Sequence, residues 1–289
     1  MIAPTPATMP PDQLDERAAA REAALEGWLR ARGSVAVGFS GGVDSTYLAC
    51  VAVRVLGPEH VVAVIGRSVS YPMVQWERAR EIAEQFGLPV IEVDTDELHD
   101  PNYAANPSNR CYFCKTELWH RVWPVAGAQG MAVVVDGTNA EDLGGHRPGA
   151  RAAAEQGVAS PLAELGFSKA EIRARSRALG IPTWDQPSSP CLASRLPYGT
   201  PVTPERLRRV ERAEAALRAL GISGDLRVRD HDDLARVELA ADELPRWLAG
   251  EDARRLHAAL CGAGYARAAV DLRGFRSGSL NLLGGAGPA

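Results

Sequence analysis

Phe39-Ser40-Gly41-Gly42-Val43-Asp44-Ser45 is the stretch on which the fold turns. The apolar run before it, Val35 to Phe39, reads as a buried parallel strand, and Thr46 to Val55 after it reads as a helix. Ser40 to Ser45 is then a strand-to-helix turn with two adjacent glycines and two hydroxyls. Such a turn lets backbone N–H groups converge on a phosphate, with no Cβ in the way and a helix N-terminus behind. It is not a Gly-Lys-Ser/Thr phosphate loop, because no lysine precedes Lys115, and the spacing of a dinucleotide fingerprint is absent. An aspartate inside a phosphate loop calls for a cation between the two anions, so Asp44 is expected to hold Mg²⁺ against a pyrophosphate. Its plainer role would be to complement the helix dipole.

The same alternation continues outward. Strands are expected at His60 to Gly66, Pro89 to Val93 and Met131 to Val135. Helices are expected at Leu14 to Arg32, Val74 to Phe86, Cys111 to Val122 and Ser168 to Leu179, the last opened by a Ser168–Glu171 capping box. This predicts an α/β fold, a Rossmann-like parallel sheet covered on both faces, with ligands beyond the carboxyl ends of its strands. Asp136-Gly137-Thr138-Asn139 ends such a strand. Its glycine would admit a nucleotide, Thr138 and Asn139 would offer donors, and Glu141 and Asp142 could hold metal; a plain Asx turn is the alternative. After an irregular Pro-rich stretch, Thr183 to Thr203, an α-β-β-α-β pattern predicts a small α+β domain. The expected organisation is a disordered lead-in at 1–13, a nucleotide domain at 14–200, a C-terminal domain at 201–277 and a flexible tail at 278–289.

The 289 residues carry 46% apolar and 24% charged side chains and a net charge of −4, which argues against a nucleic-acid footprint. No apolar run reaches a membrane span, and the N-terminus lacks the pattern of a signal peptide, so a cytoplasmic protein is expected. Its five cysteines should then not be paired. Cys50, on an apolar helix face, reads as a core thiol, and Cys261 also reads as buried. Cys111 and Cys114 share a helix face by their i, i+3 spacing. Together with Cys191 they could hold a [4Fe–4S] cluster with one open iron, or zinc with His120 or His146 as a fourth ligand. A redox pair or unrelated core thiols remain open. Arg227 and Arg229 lie on one face of a strand and, with Arg195, suit a phosphate or carboxylates; a solvated face paired to Asp230, Asp232 or Asp233 is the alternative.

Ser40-Gly41-Gly42-Val43-Asp44-Ser45 resembles the signature of the PP-loop ATP pyrophosphatases, which split ATP into AMP and pyrophosphate to adenylate a carbonyl oxygen. Combined with Asp136-Gly137-Thr138-Asn139, Arg147-Pro148-Gly149, Cys111-x-x-Cys114, Pro190-Cys191-Leu192-Ala193-Ser194-Arg195 and Arg227-x-Arg229-x-His231, the chain resembles the LarE family from about Leu25 to Asn281. The resemblance implies an ATP-dependent sulfur insertase. It would convert the carboxylates of pyridinium-3,5-biscarboxylic acid mononucleotide to thiocarboxylates for the nickel-pincer nucleotide of lactate racemase. It implies that Ser40, Gly41, Gly42, Val43, Asp44, Ser45, Ser68, Gly137 and Thr138 serve ATP, and that Ser194, Arg195, Glu214, Arg227 and Arg229 serve the substrate. Family members with one cysteine sacrifice its sulfur; those with three hold a [4Fe–4S] cluster on residues matching Cys111, Cys114 and Cys191, and this chain has all three. A homo-hexamer and an external sulfur donor are further implications. A tRNA thiolase, an amide-forming synthetase and an adenine-nucleotide sensor are the rival expectations.

Overall fold

The structure is a computed structural model that describes residues 11–144, 147–187 and 189–276. His146 and the tail from 278 therefore lie outside the described residues, as does most of the expected lead-in. The chain separates into two compact units. One comprises residues 11–67, 73–95 and 111–187; the other comprises 68–72, 96–110 and 189–276.

The first unit opens with α1 (Pro11–Arg32), which takes in three residues expected to be disordered. Pro11 suits a first helical position and Asp12 complements the dipole, so the helix begins before Leu14. Then follow β1 (Val35–Gly38), α2 (Val43–Leu56), β2 (Val61–Arg67), α3 (Met73–Gln85), β3 (Val90–Asp94), α4 (Arg110–Ala128), β4 (Val133–Val135), α5 (Pro148–Glu155) and α6 (Lys169–Ala178). The four strands form one parallel sheet in the order β3-β2-β1-β4. The chain runs from β1 outward to β3, then returns to lay β4 on the other side of β1. The carboxyl ends of β1 and β4 therefore flank the point where the order reverses, the place where such sheets bind ligands. Ala36, Val62, Val64, Val134, Trp119 and Val122 make the core between the sheet and α4. Gly38 lies so close that a Cβ there would come within 2.5 Å of the Trp119 ring.

The second unit contains α7 (Pro204–Ala219), β5 (Leu226–His231), β6 (Leu234–Leu239), α8 (Gly250–Gly262) and β7 (Arg267–Val270). β6 is central, antiparallel to β5 and parallel to β7. Its core includes Leu217, Val228, Val237, Trp247, Leu256 and Tyr265. The unit begins at Ser189 rather than after 200, and it captures two outlying segments. Hydrogen bonds explain the capture: the Leu192 N–H donates to the Ser70 carbonyl at 2.8 Å, and the Val202 N–H to Ala104 at 2.8 Å.

Two buried carboxylates pin α1 to the rest of the first unit. Glu22 accepts from Tyr47, Arg54 and Arg175. Glu171, fully buried, closes the capping box of α6 and accepts from Arg17 at 2.6 Å. Burial raises the Glu171 carboxyl, yet the hydrogen bonds from Arg17 and Ser168 outweigh it and hold the group below its usual value. The stability it supplies is present at neutral pH and is lost as pH falls through that depressed value. Glu171→Ala removes a cap and leaves Arg17 and Arg21 to solvent, so a loss of about 2 kcal/mol at pH 7 is expected in urea denaturation, shrinking in acid. An unchanged midpoint at pH 7 would contradict this role.

Candidate functional site

In the first unit the turn after β1 is built to leave its donors pointing outward. Gly41 has φ of +63°, and a Cβ there would lie 2.8 Å from Ala79 Cβ, so only glycine fits. Ser40 and Ser45 staple the turn, their hydroxyls 3.1 Å apart, and the Ser40 N–H donates to Ser45 Oγ at 3.2 Å. Gly42 precedes α2 with no side-chain cap on the helix. An uncapped first turn behind a glycine loop offers N–H groups and a positive dipole end to an anion.

The end of β4 is pressed against this turn. A Cβ on Gly137 would fall 2.7 Å from the Ser45 nitrogen and 3.0 Å from the Asp44 carbonyl carbon. Gly137 thus joins the loop residues, as expected. Thr138 stands beside it, but its hydroxyl donates to Asp136 Oδ2 at 2.7 Å, and Ser160 donates to the other oxygen. Glu141 and Asp142 are engaged in local structure: Asn139 and Asp142 form a capping box, Asp142 pairs with Arg147, and Glu141 accepts from the Lys169 N–H.

The residue that sequence reasoning missed is Lys169. Its Nζ donates to both oxygens of Asp44 at 2.7 Å, with the Asn139 amide 3.4 Å from one of them. Burial pushes the Asp44 carboxyl above the usual aspartate range, against the pull of Lys169. The signal available was slight: one of two lysines, placed directly after the cap of α6. Lys169 supplies at Asp44 the positive charge expected of magnesium. Among the described residues no three His, Cys, Asp or Glu side chains gather as a metal site. The donor set fits Mg²⁺ only in its usual phosphate-borne form, with one carboxylate and the remaining ligands from the nucleotide and water.

Ser68 belongs to the second unit, where its hydroxyl meets Ser70 Oγ at 2.7 Å and Ser70 donates to buried Glu97. That unit also brings Ser194, Arg195, Glu214, Arg227 and Arg229 together. Arg195, 2% exposed, donates twice to Glu214 at 2.9 and 3.0 Å, and its Nη1 reaches Ser194 Oγ at 3.1 Å and the Cys191 carbonyl at 3.3 Å. Glu214 also accepts the Val228 N–H, so it clamps Arg195 to β5. Arg229 pairs with Glu238 at 2.7 Å and donates to the Ser194 carbonyl. Both strand arginines are buried, so the solvated face is excluded, and Arg229 pairs with Glu238 rather than with Asp230, Asp232 or Asp233. Arg227 lies over the Phe275 ring; burial and the Arg195 guanidinium push it down to about 10. An arriving anion would relieve both penalties.

None of the cysteines is in a disulfide. Cys50 is in the core, where burial pushes its thiol up to about 12 and leaves it inert. Cys261 is exposed, against expectation: on α8 it lies on the outer face, 3.6 Å from His257, away from the buried Leu256 and Leu260. Cys111 is exposed and Cys114 half-buried on the first turn of α4 in one unit; Cys191, half-buried, precedes the short 3₁₀ turn Leu192–Arg195 in the other. No group of three His, Cys, Asp or Glu side chains forms a metal site among the described residues, and these three cysteines are no exception.

Two outcomes follow from this geometry. Gly137→Ala forces backbone against backbone, so ATP affinity by calorimetry should fall at least about tenfold, ~1.4 kcal/mol. An unchanged affinity would sever Gly137 from the site. Because Asp44 titrates high, cation-dependent ATP binding should weaken as pH falls through that raised value. Lys169→Met removes a lowering influence, so this acid limb should move to higher pH; movement the other way would refute the assignment.

The NAD synthase family profile matches residues 20–115. An uncharacterized protein of Synechocystis is 45% identical over 86% of this chain and 91% of its own length. The NMN synthetase structure of Francisella tularensis aligns at 17% identity with a TM-score of 0.48, covering 60% of this chain and 75% of that one. The pyridinium-3,5-bisthiocarboxylic acid mononucleotide synthase of Lactiplantibacillus plantarum is 35% identical over 91% of this chain and 94% of its own. Identity at that level over nearly the whole of both sequences means that the chain belongs to the LarE family of PP-loop proteins.

Proposed function

We propose that this protein is an ATP-dependent sulfurtransferase that adenylates the carboxylates of pyridinium-3,5-biscarboxylic acid mononucleotide and converts them to thiocarboxylates for a nickel-pincer nucleotide. One observation carries the reading: the arginine that anchors the buried guanidinium cluster, Arg195, also donates to the Cys191 carbonyl. Anion recognition and a sulfur-bearing residue thus belong to one knot of the same unit. Membership of the LarE family and the uncapped phosphate turn support it.

In the first step the turn's N–H groups and Lys169 bear the charge of the pyrophosphate, and Asp44 would hold magnesium with the phosphate oxygens. A substrate carboxylate oxygen attacks the α-phosphorus. The bond to the bridging oxygen breaks and pyrophosphate leaves with the electron pair. Arg227, with Arg195 and Arg229 fixed beside it, orients the anionic substrate. Adenylation has made a poor leaving oxygen a good one, so in the second step a sulfur nucleophile adds to the acyl carbon, the acyl C–O bond breaks and AMP departs with its electron pair. The sequence repeats at the second carboxylate. Cys111, Cys114 and Cys191 would hold a [4Fe–4S] cluster, which when bound supplies the sulfur. The protein acts in the cytoplasm; a homo-oligomer and a sulfur donor that replenishes it belong to the same reading.

The test is anaerobic turnover. A brown protein with about four irons per chain is expected, and loss of iron in Cys114→Ala. With the pyridinium dicarboxylate nucleotide it should release one AMP and one pyrophosphate for each thiocarboxylate, and the chain mass should be unchanged. A loss of about 34 Da, one H₂S, would show that Cys191 was consumed instead. A colourless anaerobic protein with bound zinc would overturn the cluster. Nucleotide binding without pyrophosphate release would make the protein a sensor.

A further inference from the structure

Three residues of α3, Arg78, Glu81 and Ile82, share a helix face by their i, i+3, i+4 spacing. That face borders a cleft of about 470 Å³, whose opposite wall carries Thr183, Asp185 and Gln186, just beyond α6. The cleft lies wholly within the first unit and includes no residue of the phosphate turn. Ile82 is buried, whereas Arg78, Glu81 and Asp185 are exposed. Among the described residues none of those three charges is in an ion pair, although Arg80, two positions along from Arg78, pairs with Glu92. One guanidinium and two carboxylates therefore stand around the cleft unmet.

The far wall is firmly built. Arg173 of α6 forks across it, donating to the carbonyls of Trp184 and Gln186 at 2.7 Å each. The Trp184 N–H donates to the Ile181 carbonyl and the Gln186 N–H to that of Thr183, and Arg177 lies over the Trp184 ring. Against a backbone so fully used, two side-chain oxygens stand out. Thr183 is 1% exposed, and its Oγ1 is buried without a hydrogen-bond partner, as is Oε1 of Gln186. Leaving a buried oxygen unmet is costly, and two in the wall of one cleft point to donors supplied from outside the chain.

We propose that this cleft binds an α-amino acid as its zwitterion. The ammonium group meets Glu81, Asp185 and the Gln186 Oε1, which accepts but cannot donate. The carboxylate meets the fork of Arg78. The Thr183 hydroxyl gains a partner from either group, and Ile82 gives the side chain an apolar contact. A simple amine would leave Arg78 unmet, and a simple carboxylate would face Glu81 and Asp185 with like charge. The volume admits one amino acid with bridging water. Ala79, next to Arg78 on α3, is the residue against which Gly41 of the phosphate turn packs, so the occupant would lie on the helix that also backs that turn.

The experiment is saturation-transfer NMR of the full-length protein with the twenty amino acids. Calorimetry then compares the best binder with its decarboxylated amine and its deaminated acid. The amino acid should bind at least about tenfold more tightly than either half. Arg78→Gln should weaken the amino acid about as much and leave the amine unchanged. Glu81→Gln should weaken the amino acid and the amine without weakening the acid. Thr183→Val should weaken binding without lowering the melting temperature, because it removes an unmet oxygen at nearly equal shape. Saturation transfer to no amino acid would overturn the proposal. So would an amine or an acid that binds as tightly as its parent, or affinities indifferent to both Arg78 and Glu81. A lower melting temperature in Thr183→Val would show the hydroxyl to be already satisfied and would overturn the site as drawn.

Discussion

The ion pair between Asp44 and Lys169 is the constraint on which the first unit depends. A phosphate turn that carries an aspartate repels its own ligand unless a cation intervenes, and here the cation is built into the chain. The pair joins the first turn of α2 to the first residue of α6. The Glu171 box holds α6 in place, and Arg17 and Arg21 tie that box to α1. Glu22, through Tyr47 and Arg175, links α1 back to α2 and α6. Both ends of the Asp44–Lys169 contact are therefore fixed by independent carboxylate anchors. The Asn139 amide, 3.4 Å from Asp44 Oδ2, adds a second contact, so the carboxylate is held from two sides.

The second unit solves a related problem in the opposite sign. Arg195 and Arg229 are buried, which is tolerable because Glu214 and Glu238 meet them with short paired hydrogen bonds. Those carboxylates leave Arg227 as the guanidinium whose charge is most strongly disfavoured. Clamped neighbours around a strained cation give a site whose rotamers are settled before any anion arrives, which lowers the ordering cost of binding. The overall charge of −4 therefore says little about ligands. The positive charge that matters is interior and local.

Much of this was legible in the sequence because it was local. The β1–turn–α2 junction, the parallel alternation, the Ser168–Glu171 box and the helical spacing of Cys111 and Cys114 are each set by residues a few positions apart. What failed to show was long-range. Lys169 reaches Asp44 across 125 positions, and Asn106 reaches Thr200 across 94. No periodicity encodes either contact. Glu214 was legible as a member of the arginine site, but its work of clamping Arg195 onto Val228 was not. Ser68 reads in the sequence as a nucleotide-side residue at the end of the second strand, yet its segment hydrogen-bonds to the piece of chain around Leu192 and groups with it. Cys261 reads as buried on the last helix, whereas burial follows helical phase, and Leu256 and Leu260 hold the inward face.

The cysteines show how environment, not residue type, assigns chemistry. Cys50 lies in a packed core where burial alone suppresses the thiolate. Cys111, Cys114 and Cys191 keep contact with solvent, and Arg195 donates to the backbone carbonyl of the third. Position in the fold, rather than the thiol itself, thus separates an inert cysteine from three that remain reachable by a reactant.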